Sequence, residues 1–97
     1  MLFEWDKANR EHIAEHDVTT DEAEQAFEND PVDLEVQDDD DDGFRYKQIG
    51  ETNAGRILIF ISANRGDFVR IATAFDAPKA FKDIYFRVKA RQSWNKP

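Results

Sequence analysis

Arg45, Arg56, Arg65 and Arg70 carry the chemistry that stands out first in this sequence. A guanidinium presents a planar fork of N–H donors that grips phosphate through two oxygens and also stacks on bases. Phe44, Tyr46 and Phe68 lie close to them in sequence, and Lys47 adds another cation. The same arginines read equally well as surface residues paired with acidic helices. Two further patterns suggest a metal. His12-Ile13-Ala14-Glu15-His16 spells H-x-x-E-H, with both imidazoles on one helical face. A hydrolytic zinc site also needs a third protein ligand and a cleft, which a ten-residue helix in a 97-residue chain hardly provides. Histidines partly buried between helices are the expected reading. Asp38, Asp40, Asp42 and Gly43 match the opening of an EF-hand loop, but its twelfth position is Ile49 where a bidentate Glu is required. No metal and no cofactor is expected.

The chain that must position these residues has one core at most: 97 residues fit a single domain. It holds no cysteine, which removes disulfides and thiolate chemistry. The longest apolar run, Ile57 to Ile61, is far short of a membrane span, and Met1 to Asp6 lacks the basic-then-apolar layout of a secretory signal. A cytoplasmic domain is expected. The net charge of −8 hides a division. Residues 1–43 carry 17 acidic side chains against Lys7 and Arg10, a net −15, whereas residues 44–97 carry 11 basic against 4 acidic, a net +7. Such asymmetry suits either one face built for a polyanion or two solvated faces that cancel.

The pattern of residues predicts an α+β domain. Leu2 to Trp5 reads as a short extended piece and Lys7 to His16 as a helix with Ala8, His12, Ile13 and His16 inward. Asp17 follows where a left-handed residue closes a helix. Thr19 and Glu22 form a capping box for a second helix that buries Ala23, Ala26 and Phe27, with Val18 stapled onto Ala23. Four strands are then expected, at Val32 to Gln37, Phe44 to Ile49, Ile57 to Ile61 and Phe68 to Ala74. Residues 38–43 form an acidic loop between the first two, and the continuously apolar Ile57 to Ile61 suits a central strand covered on both faces. Phe81, Ile84, Tyr85 and Val88 make the stripe of a final helix opened by Pro78, followed by a tail at 93–97.

Taken in order, Phe3-Glu4-Trp5-Asp6, Glu11 to His16, Val18 and Asp21 to Phe27 resemble the opening of BrnT-type toxins. Arg45-Tyr46, Ile49-Gly50-Glu51-Thr52, Gly55-Arg56, Arg70 to Ala74 and Tyr85 continue the resemblance, which runs from about residue 3 to residue 86. It implies a RelE-like fold: a four-stranded, mainly antiparallel sheet with a short N-terminal strand, packed against two N-terminal helices and a C-terminal one. It also implies a ribonuclease toxin of a type II toxin–antitoxin pair, neutralised by a BrnA-like antitoxin through which alone the complex meets DNA. Homodimerisation is left open. Three positions depart from the family. Asp17 stands where Gly is usual, Phe75 where an Arg closes a Ser/Thr-Ala-Arg motif, and Phe81 where a Glu is usual. The last two read as a charge pair exchanged for an apolar contact. They motivate a second reading, a catalytically weak or inactive toxin-like module that binds its antitoxin and regulates the operon.

RNA cleavage without metal, by attack of the ribose 2′-OH on the adjacent phosphate, needs a base, cations for the developing charge and an acid for the leaving oxygen. The resemblance and the chemistry together nominate Arg45, Arg65 and Arg70 as phosphate clamp, His16 as a base near neutral pH, and Tyr85 to orient a proton. The place of Tyr85 on an apolar stripe favours a core role for it. Lys7, Arg45, Lys47 and Arg56 are the candidates for holding the RNA backbone.

Overall fold

The computed structural model describes residues 1–39 and 43–94. Its elements follow the order β1 (Leu2–Phe3), α1 (Lys7–Ala14), α2 (Thr20–Glu28), β2 (Val32–Asp39), β3 (Gly43–Glu51), β4 (Ile57–Arg65), β5 (Phe68–Asp76) and α3 (Lys79–Trp94). The strands form one mixed sheet in the order β1-β5-β4-β3-β2. β2 to β5 are antiparallel neighbours, and β1 adds to the free edge of β5 in parallel. The architecture is the expected α+β sheet with three helices, widened to five strands by β1. Among the described residues no helix is long and apolar enough to cross a membrane.

β4 lies at the centre, and both of its faces are covered. Leu58 and Phe60 join Ile13, Val18, Ala23, Ala26, Val69, Ile71 and Ala74 in a core beneath α1 and α2. Ile57 and Ile59 face the other way, into a cluster with Ile49, Ala77 and Tyr85 of α3. Truncating one such side chain costs roughly 2–5 kcal/mol, several times what a surface ion pair contributes, so these two clusters hold the layers together.

The strands run longer than their apolar patterns suggest. β2 continues through Asp38 and Asp39, which pair with Phe44 and Gly43, so the ends of the expected acidic loop are strand. Asp40 to Asp42 lie outside the described residues. The backbone ladder does not depend on side-chain polarity, and an edge strand tolerates charges that face water. Likewise α3 extends through Ser93 and Trp94, where a tail was expected; residues 95–97 lie outside the described residues. The Gly66-Asp67 loop between β4 and β5 is only two residues, with Gly66 at φ 64°, and it sets Arg65 directly opposite Phe68. A bulge at Ala72 interrupts β5: Ser62 pairs with Ile71 and Ile61 with Thr73. It reverses the alternation, so Phe68 and Arg70 before it share a face with Thr73 and Phe75 after it.

The first helix departs most from expectation. It ends at Ala14 and buries Asn9 and Ile13, while Ala8, His12 and His16 are exposed. Asn9 is the reason. Its Nδ2 donates to the carbonyls of Glu4 and Ile71, and its Oδ1 accepts from the Asp6 N–H in a reciprocal cap. A buried amide so satisfied rotates the helix away from the stripe that apolarity alone implies. Asp17 and the capping box of Thr19 and Glu22 stand as expected, with Asp17 at φ 56° and Thr19 Oγ1 accepting from the Glu22 N–H at 3.1 Å.

Candidate active site

The face of the sheet that carries α3 is a ladder of cross-strand rows. The first row, Phe75–Ile59–Ile49–Val32, lies under α3. The next is Thr73–Ile61–Lys47–Glu35, and the third Arg70–Ala63–Arg45–Gln37. Phe68 opposite Arg65 ends it at the β4–β5 turn. Rows are spaced roughly 6–7 Å apart along the strands, so the face passes from buried apolar to partly exposed basic within about 20 Å. Three arginines from three adjacent strands thus meet where α3 no longer covers the sheet.

Between them is a shallow hollow lined by Arg45, Arg65, Arg70 and the small residues Ala63 and Ala72. Ala63 separates Arg45 from Arg70 in one row, and its methyl group leaves the space that a larger side chain would fill. The hollow encloses only about 20 Å³, too little to swallow a nucleotide. A phosphate would rest on this surface with its sugar and base outside.

Arg70 is held in place from the edge of the sheet. Its Nη1 donates to Glu4 Oε1 at 3.1 Å and Asp6 Oδ2 at 2.8 Å, and its Nη2 to Asp6 Oδ1 at 3.4 Å. Hydrogen bonding to Asp6 holds the guanidinium firmly protonated and, reciprocally, keeps the Asp6 carboxyl below the usual carboxylate range. Asp6 is committed on both oxygens, because Oδ1 also caps α1 through the Asn9 N–H. Glu4 meets Arg70 through Oε1 and is a second carboxylate brought against that guanidinium. Residue type alone does not single it out. The available signal was its spacing from Asp6 on an extended segment, which puts both carboxylates on one side of the chain.

The remaining candidates fall elsewhere. Lys47 lies one row inward, its Nζ 5.7 Å from the centre of the Phe81 ring. Lys7 follows Asp6 in the first turn of α1, exposed and 3.9 Å from Glu11. Arg56 is spent on the fold. Nε and Nη2 donate to Asp76 at 2.7 and 3.0 Å, Nη1 to Glu22 and the Asp17 carbonyl, and Nη2 also to the His16 carbonyl. These contacts occupy all five guanidinium N–H groups, leaving none for a phosphate.

His16 and Tyr85 do not reach the arginines. The exposed His16 ring is 6.0 Å from His12 and 5.7 Å from Phe75. Phe75 is five residues from Arg70, roughly 15 Å along β5. The expected packing of the two histidines between helices is therefore corrected: both stand on the solvent side of the chain. Tyr85 is buried on the inner side of α3, with its hydroxyl 3.5 Å from Glu51 Oε1 at the far end of β3 from Arg45. Burial, with Glu51 nearby, raises its pKa, so the phenol keeps its proton at neutral pH. Phe75 and Phe81 are half-buried against the α3-side cluster and spend their apolar surface inside the molecule. Among the described residues no group of three or more His, Cys, Asp or Glu side chains is arranged to hold a metal ion.

No curated protein and no solved structure matches the chain. A protein-family model does match, that of the ribonuclease toxin BrnT of type II toxin–antitoxin systems, over residues 5–80. The matched span contains Arg45, Arg65 and Arg70 and stops short of Tyr85. Matched over more than half its length, the chain belongs to the BrnT family of type II toxin–antitoxin ribonuclease toxins.

Proposed function

We infer that this protein is a RelE-like endoribonuclease toxin whose working surface is the arginine face at the open end of the sheet. The convergence of Arg45, Arg65 and Arg70 on one hollow carries the reading. Its RNA substrate lies with a phosphate against Arg45 and Arg65, while Arg70, fixed by Asp6, supplies a third and immobile cation. The reaction is internal transesterification without metal. The ribose 2′-oxygen attacks the adjacent phosphorus, the bond from phosphorus to the 5′-oxygen breaks, and a 2′,3′-cyclic phosphate and a 5′-hydroxyl remain. Glu4 takes the proton of the 2′-OH in place of the distant His16, and the departing oxygen takes its proton from water. The guanidiniums stabilise charge that grows on the phosphate oxygens, the effect that usually contributes most to such a rate.

The partner is a BrnA-like antitoxin, through which any contact with operator DNA is made. The packing of Phe75 and Phe81 against the cluster between the sheet and α3 weighs against a purely binding role, since both rings are partly buried there. Incubating the purified chain with a labelled single-stranded RNA tests the reading. Cyclic-phosphate products from the wild type, lost in Arg45→Ala/Arg65→Ala, are expected. A folded wild type that leaves every RNA intact in the absence of antitoxin contradicts it.

A further inference from the structure

We propose that Phe68 is the platform on which the bound RNA stacks an unpaired base, so that the site accepts single-stranded rather than duplex RNA. The inference rests on the arginine face being the RNA surface and goes on to specify what that face recognises. Phe68 is 43% exposed and belongs to neither core cluster, so the fold makes little use of its ring. Its position is nevertheless fixed. The two-residue Gly66-Asp67 turn places it directly across the ladder from Arg65, and Arg70 follows two residues later on the same face. Arg70 is thus roughly 6–7 Å away along the strand, within the span of one nucleotide. An exposed aromatic ring between two phosphate-binding cations is the arrangement by which single strands are held: arginines follow the backbone and the ring receives a base. In a duplex that base is already paired and stacked inside the helix, out of reach of the ring.

Leu2, paired with Phe68 in β1 and 58% exposed, continues the apolar surface at the edge of the sheet. That continuation would suit a protein partner too. The hollow beside the ring decides for RNA: Arg45, Arg65 and Arg70 line it together, on strands from the half of the chain that carries 11 basic side chains against 4 acidic.

The test is fluorescence anisotropy with a labelled 2′-O-methyl hexaribonucleotide, which cannot be cleaved, and the same strand carrying abasic sites. Circular dichroism first establishes that each variant is folded. Phe68→Ala is expected to weaken binding of the intact strand about 5- to 100-fold and to leave binding of the abasic strand unchanged. Phe68→Trp retains affinity, and Phe68→Leu, apolar but without a ring face, behaves as Ala. Equal affinity of Phe68→Ala and wild type overturns the proposal, as does equal behaviour of the Leu and Trp variants. Loss of antitoxin binding with RNA binding intact also overturns it and makes Phe68 a partner contact. A wild type that binds no single strand at all removes the RNA reading itself along with the inference.

Discussion

Arg56 and Arg70 each face two carboxylates, yet they do different work. Arg56 has every N–H engaged and ties the start of β4 to α2, to the α1–α2 turn and to the end of β5. Arg70 uses its Nη groups toward Glu4 and Asp6 at the rim of the hollow. Arg56→Lys keeps the charge and loses the fork, and is expected to cost about 1–3 kcal/mol in urea unfolding with cleavage per folded molecule retained. Arg45→Ala and Arg65→Ala should do the reverse: a loss of about 10- to 100-fold in cleavage rate with little change in melting temperature, read from single-turnover kinetics and calorimetry. The pH dependence of stability follows from the same pairs. The hydrogen bond from Arg56 lowers the Asp76 pKa in the folded state. Its contribution is therefore complete above the unfolded Asp value near 4 and is lost as pH falls through the lower folded value. Removing Arg56 should flatten this acid limb, measured as stability between about pH 5 and pH 2.

At the scale of elements, α2 and α3 were legible because their signals are local: a capping box for one, Pro78 and an i, i+3, i+4, i+7 spacing for the other, although of that stripe only Tyr85 is buried and Ile84 stands 39% exposed. α1 was misread because its buried position belongs to Asn9, whose partners include the carbonyl of Ile71, sixty-two residues away. The bulge at Ala72 left no mark in the sequence, although it allows Arg70 and Phe75 to share a face. Arg45, Arg65 and Arg70 could be nominated from residue type, but their convergence depends on strand register, and so does the distance of His16 and Tyr85 from them. Gly50 shows how closely the layers meet. A Cβ there would stand 2.3 Å from the Ala26 carbonyl oxygen of α2, and backbone cannot yield as a flexible side chain would. Gly50→Ala is expected to destabilise the fold by about 2–4 kcal/mol, a fall of roughly 10–25 °C in melting temperature. Asp17, at φ 56°, occupies a conformation that Gly adopts at less cost. Asp17→Gly should raise stability by about 0.5–1 kcal/mol in the same measurement.

Across the whole molecule, the opposed charges of the two halves serve both readings that composition left open. Some acids of the first half pair with basic residues of the second, as Glu22 does with Arg56 and Asp30 with Lys89. Arg70 likewise pairs with Glu4 and Asp6, and it also meets Arg45 and Arg65 around one hollow. Three phosphate contacts on a single strand give binding a salt dependence with a log–log slope of about −2, and each alanine should reduce that slope by about 0.7. Whether this face cuts RNA is read from RNA integrity after induced expression in a bacterial host without antitoxin, with Arg45→Ala/Arg65→Ala expressed to the same level alongside. The wild type should arrest growth and fragment RNA while the double variant does neither. Intact RNA with abundant folded wild type, or equal fragmentation by the variant, would contradict the assignment of this surface.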